Sequence, residues 1–507
     1  MARLNRNILA NISGQAWSMV LSLIFIPVYI HTLGVESYGL IGVYVMLLGL
    51  AQVFDMGLGA TINRELSRRH HVPEDGRDLR TLVRTAERIY ALVGILLAGL
   101  LLLAAGPLAG GWINIGELDR ADVRHVVALM AILLGLQWPL ALYQNVLMGM
   151  QEQVTSNLIY STYATLGNIA AAMVVVTMKT GVEAYFITFA IVACIQLIHL
   201  RTVCWRKLGP RTDADPFRLD ALKKSMGFTA GMAGITIMSV LLIQLDKVLL
   251  SRLLSLGDFG LYVLAGTMSR ALYVIITPIF NAVFPRLSSE LSRGNVDAAL
   301  KVYHSSAQLM AVLVLSAASA MAIFSHDIYL LWIGSATVAQ SVAPVAAILA
   351  FGTAMTGLMN VPYAMQLAKG STGVPFLTAA LIAILVVPGM IWAAGRYGSA
   401  GAAWTWFSLN LLYLIVGVAY THLRIVPGQF RRWLFRDLGL PLLGILVASA
   451  GVAWVHSLLA LGTVGKILSV VSGSAVILAA AVIFAQDIRA WVVDRLNLWM
   501  QPGSKAA

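Results

Sequence analysis

Apolar residues run along nearly the whole chain in long stretches, without the alternation of a half-buried strand. About 20 such residues suffice to cross a bilayer as a helix. At that length the pattern predicts fourteen spans, beginning near Ile12, Tyr38, Ala86, Val126, Leu158, Ala184, Phe228, Gly260, Ser305, Val342, Val374, Ala400, Leu438 and Lys466. The expected fold is an all-α polytopic membrane protein. Its loops are short: Leu33–Ser37 forms the whole first one, and the longest outer loop is Leu108–Arg124.

Composition narrows the function classes. The 507 residues are 59% hydrophobic and 11% charged, where a soluble domain carries roughly 25% charged residues. The outer loop holds Glu117, Asp119 and Asp122 but is too small to fold alone, and the first loop offers one acid, Glu36. A membrane glycosyltransferase or polysaccharide polymerase needs more extramembrane chain than this. No P-loop is present, which excludes ATP hydrolysis by this chain. Cys194 and Cys204, ten residues apart on one predicted helix, stand about 15 Å apart, beyond disulfide reach. The nine histidines show no ligand spacing and are read as interfacial or packing residues. The first apolar stretch lacks a small-residue cleavage site and is read as a retained helix.

The formal charge of +12 has a topological origin. With both termini cytoplasmic, 27 of the 35 Lys and Arg fall on that side and six on the other. That bias is the positive-inside rule and sets the orientation. The basic residues cluster in three inner loops, Arg64–Arg88, Arg201–Lys224 and Arg424–Arg436, so a nucleic-acid partner is not expected.

The text also repeats. Leu33-Gly34-Val35-Glu36-Ser37-Tyr38-Gly39-Leu40 reads like Leu256-Gly257-Asp258-Phe259-Gly260-Leu261. Arg64 follows Gly39 at the same distance, within one residue, as Arg286 follows Gly260. A parallel duplication of six helices would place two lobes about an axis along the membrane normal, with a site between them.

Two cations remain inside spans, Lys247 and Arg270. A charge at the bilayer centre costs about 2.5–3.5 kcal/mol, so it must face a partner or water. Asp246 precedes Lys247, but helical neighbours point about 100° apart, so the two are not expected to pair tightly. One reading has Lys247, Arg270, Asp246, Gln244 and Asn281 lining a polar cavity. The other has Asp246 pair with Arg270 and fasten two helices. Asp55, in Phe54-Asp55-Met56-Gly57-Leu58-Gly59, is either a site for a coupling H+ or Na+ or a structural hydrogen-bond acceptor for backbone freed by Gly57 and Gly59. Gln137, Gln144, Asn145, Asn360 and Gln366 belong to a polar set near helix interiors, and Pro27, Pro139, Pro278, Pro362 and Pro388 fall inside spans.

The segment Phe54–Leu66 resembles the signature of the polysaccharide transporter family. So do Leu33-Gly34 with Tyr38-Gly39, Leu147-Met148-Gly149-Met150-Gln151, Asp246–Leu250 and Tyr397–Ala403. The resemblance implies an O-antigen or exopolysaccharide flippase of the multidrug/oligosaccharidyl-lipid/polysaccharide exporter superfamily, a transporter and not an enzyme. It implies two six-helix lobes, residues 1–211 and 212–424, followed by two further helices in 425–507. The implied activity moves an undecaprenyl-pyrophosphate-linked oligosaccharide from the cytoplasmic to the periplasmic leaflet of the bacterial inner membrane. The head would pass a cationic cavity, and the lipid tail would follow a groove near the last two spans. Membrane lipids, a polysaccharide polymerase and other export-pathway proteins are the implied partners. No cofactor is expected beyond a coupling ion. An ion-coupled multidrug exporter of the same superfamily is the alternative, with Asp55 as its carboxylate. A lipid II flippase fits less well, because no Lys or Arg lies between Arg6 and Arg64.

Overall fold

The computed structural model describes residues 2–69, 76–178, 181–209, 237, 240, 243–371 and 373–500. Its helices are α1 (Ala2–Ala51), α2 (Leu58–Arg69), α3 (Gly76–Pro107), α4 (Arg120–Gly149), α5 (Gln153–Met178), α6 (Val182–Lys207) and α7 (Leu256–Ala271). They continue with α8 (Tyr273–Ser292), α9 (Val296–Ile333), α10 (Ala336–Ala368), α11 (Gly373–Tyr420), α12 (Leu440–Leu458), α13 (Thr463–Phe484) and α14 (Gln486–Met500). Residues 243–253 are helical as well. Among the described residues ten helices are long and apolar enough to cross a membrane, and the bent pair α7–α8 makes an eleventh. The span expected from Phe228, together with Arg211, Arg218, Lys223 and Lys224, lies outside the described residues, as do the side chains of Asn11 and Gln15.

Two predicted loops shrink to single glycines. Within α1 only Gly34 (φ 83°, ψ 165°) leaves helical geometry, and within α11 only Gly398 (φ 59°, ψ −141°). Both φ values lie where a Cβ is penalised, which is why glycine stands there. The five span prolines sit inside helices. Hydroxyls within the spans donate back along their own helix, as Thr85 does to Thr81 O and Thr188 to Ala184 O, so no partner is needed from the bilayer. The outer face of α3 exposes Leu92, Ile95, Leu96, Leu100 and Leu103. An apolar stripe of that length is a liability in water and a lipid-facing surface in a bilayer.

The chain divides into two compact units, Met1–Gly260 and Leu261–Ala507. In the first, the two copies of the repeat touch through their glycines. A Cβ at Gly39 would stand 2.2 Å from Leu256 O, and one at Gly260 would stand 2.6 Å from Val35 O and 3.2 Å from Gly39 Cα. Small residues let helix backbones approach this closely where no hydrophobic effect drives them together. Glu36 anchors the neighbouring loop by accepting from Gly116 N at 2.6 Å and Glu117 N at 2.9 Å.

The N-terminal part of α3 and the C-terminal ends of α4 and α6 meet at Glu87. Its carboxylate accepts from Tyr143 Oη (2.6 Å), Arg201 Nε (2.6 Å) and Arg84 Nη1 (2.8 Å). Arg84 and Arg80 stack on the Trp205 ring, and buried Arg80 also donates to the carbonyls of Leu208 and Gly209. These arginines were expected in a loop ending near Ala86. They belong instead to α3, which begins at Gly76. Pairing and stacking neutralise their charge, so the helix extends through them.

In the second unit α9 is the seat for everything that follows residue 428. At one end His304 lies between Asp437 and Gln429. One turn on, Gln308 donates to Arg436 O and accepts from the backbone N–H groups of Asp487 and Ile488. At the other end the Asp327 carboxylate meets His456 Nε2 and Lys466 Nζ, each at 3.0 Å. Between these polar ends the contact is apolar. Phe324 fills the notch at Gly473, where a Cβ would stand 2.5 Å from the ring. Gly473→Leu is expected to destabilise the second unit by about 1–3 kcal/mol through overpacking. A thermal-melt series checks this, with Phe324→Ala restoring part of the loss because the two sites share one contact.

Candidate functional site

The residues singled out in the sequence fall on both units. Asp246, Lys247 and Gln244 lie on the 243–253 helix of the first unit. The C-terminal end of that helix is fastened three ways. Trp112 Nε1 donates to Ser251 Oγ at 3.0 Å, Arg252 lies over the Trp112 ring at 5.3 Å, and Leu256 N donates to Asn114 O at 2.8 Å. Lower on the same helix, the Gln244 carboxamide lies against Gly49, where a Cβ would stand 1.9 Å from Nε2. The Gln244 Oε1 atom has no hydrogen-bond partner among the described residues.

Lys247 corrects one expectation. Its Nζ stands 3.1 Å from Asp246 Oδ1 and also donates to Ile243 O at 2.8 Å. The 100° offset applies to the Cβ directions, whereas the four-carbon stem of lysine curls back far enough to cancel it. Asp246 is buried and Lys247 half-buried, so the pair carries its charges into the span in neutralised form. Arg270 and Asn281 belong to the second unit. Arg270 closes the last turn of α7, beside the bend at Leu272, where a cation also complements the helix C-terminus. Arg270 is exposed, and within its unit and among the described residues it has no carboxylate partner. Asn281, on α8, is exposed too. An exposed guanidinium in the middle of a span requires water or a polar ligand at that surface.

Asp55 stands where the second predicted span breaks. A single 3₁₀ turn, Gln52–Asp55, ends there, Met56 (φ 46°) and Gly57 (φ 73°) take left-handed geometry, and α2 restarts at Leu58. The carboxylate accepts from Gly59 N at 3.2 Å and from the Tyr90 hydroxyl. It therefore caps the N-terminus of α2, where the span ending at Asp55 gives way to a polar helix. Asp55→Ala is expected to cost about 0.5–2 kcal/mol, the usual loss on removing a cap. Asp55→Asn keeps the acceptor oxygen and is expected to melt closer to the wild type, a ranking that thermal unfolding of the two variants checks.

Residues 4–290 match the family model described as "Polysaccharide biosynthesis protein". The chain belongs to this family. Among curated proteins it is 22% identical over 409 residues to the "Putative O-antigen transporter" of Shigella flexneri, covering 79% of this chain and 93% of that one. Among solved structures it is similar to the lipid II flippase MurJ in its inward closed conformation, with a TM-score of 0.70, 14% identity, and coverage of 95% of this chain and 99% of that one. It is also similar to an inward-facing multidrug resistance MATE transporter of the MOP superfamily, with a TM-score of 0.64, 14% identity, and coverage of 82% and 96%. At such identities these likenesses establish the fold alone.

Three further features stand out, the first two of them not expected from the sequence. Asp122, His125 and Glu183 bring three ligand atoms within 4.8 Å of one another. His125 and Glu183 sit on different helices, so linear spacing hid the group. It is an exposed ion pair of 3.9 Å with a neighbouring acid, and no metal role is assigned to it. Glu87 is the second feature, a hub with no sequence signal beyond its position among arginines. The third is an apolar cleft of about 490 Å³ between α12 and α13, lined by Gly451, Val452, Trp454, Gly473 and Val476.

Proposed function

We propose that the chain is a flippase for a lipid-linked oligosaccharide, an undecaprenyl-pyrophosphate-linked O-antigen or exopolysaccharide repeat unit. It moves the substrate from the cytoplasmic to the periplasmic leaflet of the bacterial inner membrane by alternating access. Family membership, the O-antigen transporter relative and the transporter fold support this reading. The observation that carries it is the placement of one cation within the spans of each unit, Lys247 in the first and Arg270 in the second.

A pyrophosphate diester needs cationic partners when it leaves water. Arg270 offers a planar donor fork suited to phosphate oxygens. Lys247 is held by Asp246 at 3.1 Å until a phosphate competes for it, which keeps that cation neutralised at rest. Gln244 adds a neutral donor one turn from Lys247 in the first unit, and Asn281 is a further exposed amide of the second. The cleft between α12 and α13 suits the polyprenyl tail, because its walls are mostly apolar and four of the five named residues are small or aliphatic. Coupling to H+ or Na+ belongs to Asp55 in this reading only if transport depends on an ion gradient and Asp55→Asn abolishes that dependence.

Depleting the chain from its native cell tests the proposal. The expected result is a fall in surface polysaccharide with a matching accumulation of lipid-linked oligosaccharide on the cytoplasmic leaflet. Unchanged polysaccharide with a gain in drug sensitivity would favour the multidrug alternative.

A further inference from the structure

The first unit encloses a cavity of about 220 Å³ between α1, α4, α5 and α6. It is distinct from the residues discussed so far and carries no charged group in its wall. Gln196 of α6 and Gln137 of α4 both line it. Gln196 is only 8% exposed, and neither carboxamide has a hydrogen-bond partner among the described residues. The Tyr160 hydroxyl on the same wall is likewise unpartnered among the described residues. The other polar groups are already engaged. Asn168 accepts from Tyr29 and donates to Ala164 O, while the Tyr163 hydroxyl pairs with His199 Nδ1 at 3.1 Å.

Leaving a buried amide unpaired costs about 1–3 kcal/mol. One buried and one half-buried amide facing the same cavity point to a ligand that supplies both donors and acceptors. A cation would use only the carbonyl oxygens, strand the NH2 groups and find no carboxylate to balance it. An anion would find no Lys or Arg. An apolar molecule would leave both amides unpaired. A sugar ring satisfies the set, since its hydroxyls donate and accept, and its C–H face can lie on the rings of Tyr163 and Phe189, which also line the cavity.

We propose that this cavity binds one neutral sugar unit of the transported glycan, as a hydrogen-bonding subsite separate from the cations that meet the pyrophosphate. The inference rests on the flippase reading and adds a substrate class to it. The volume fits a single ring, so the pocket reads one residue of the head group.

The test uses the purified full chain in lipid nanodiscs and a panel of glucose, galactose and N-acetylglucosamine. Saturation-transfer NMR is expected to detect binding of at least one sugar. Gln137→Leu with Gln196→Leu is expected to weaken that binding about tenfold or more, the effect of losing two buried hydrogen-bonding groups. A second measurement avoids dependence on the folding of that variant. In a background with Cys194→Ala and Cys204→Ala, the thiol of Ser22→Cys, on the cavity wall, is titrated with N-ethylmaleimide. Sugar at twice its dissociation constant should slow modification about threefold. No saturation transfer and no protection by any sugar would overturn the inference, as would protection by sodium in place of sugar. The flippase reading is judged separately, by whether alanine at both Lys247 and Arg270 abolishes export.

Discussion

Alanine at both Lys247 and Arg270 is expected to lower surface-polysaccharide export by about two orders of magnitude, with normal protein abundance in the membrane. Each cation contributes a charge-assisted hydrogen bond worth about 1.5–3 kcal/mol to a phosphate, and about 1.4 kcal/mol is tenfold. The single variants should rank unequally. Lys247→Ala leaves Asp246 buried without its 3.1 Å partner, so it loses a counter-ion as well as a phosphate contact. Arg270→Lys keeps the charge but gives up the fork, and should fall between wild type and alanine. Immunoblotting alongside a polysaccharide assay separates loss of transport from loss of protein. Wild-type export in the double variant would remove the cationic-site account.

Leucine at Gly39 or at Gly260 is expected to remove most of the folded protein. The obstacle at each position is backbone: Leu256 O at 2.2 Å from a Gly39 Cβ, and Val35 O at 2.6 Å from a Gly260 Cβ. A flexible side chain could swing aside, but a carbonyl in a helix cannot move without shifting the helix. The cost should therefore exceed the about 1–3 kcal/mol typical of overpacking. Gly39→Ala is expected to be poorly tolerated as well, since the Cβ alone makes the clash. Detergent-solubilised yield and thermal midpoint measure both effects. By contrast Gly99, with nothing within 4 Å of its Cβ position, should accept alanine without loss.

How much of this was legible in the sequence depends on the range of the interaction. Apolar length alone marked the chain as a bundle of membrane-spanning helices, because the bilayer imposes it locally, while ten or eleven of the fourteen expected spans are found among the described residues. The repeat was visible as two glycine-centred phrases, but not that Gly39 and Gly260 lie against one another, since a contact between distant segments leaves no mark in either. Arg80 and Arg84 read as loop charges until Trp205, supplied by a distant helix, and Glu87, one turn past Arg84 on their own helix, were in place around them. The pairing of Asp246 with Lys247 was missed for a different reason. Helical spacing describes where a side chain leaves the backbone, and lysine is long enough to return. For Asp55 the structural alternative gained a concrete partner set, Gly59 N and Tyr90, because the left-handed Met56-Gly57 step opens a helix N-terminus that needs an acceptor. Gln196 gave no signal at all. A single glutamine in an apolar stretch becomes informative only when a second unpartnered amide, Gln137, shares its cavity.

The central claim, that this chain carries a lipid-linked glycan across the membrane, is tested most directly in proteoliposomes. Undecaprenyl-pyrophosphate-linked oligosaccharide is incorporated in both leaflets, and the fraction open to a membrane-impermeant pyrophosphatase added outside is followed over time. The account predicts that the inner-leaflet pool becomes accessible in liposomes containing the chain and stays protected in those containing the Lys247→Ala, Arg270→Ala variant. An inner pool equally protected with and without the wild-type chain would contradict it.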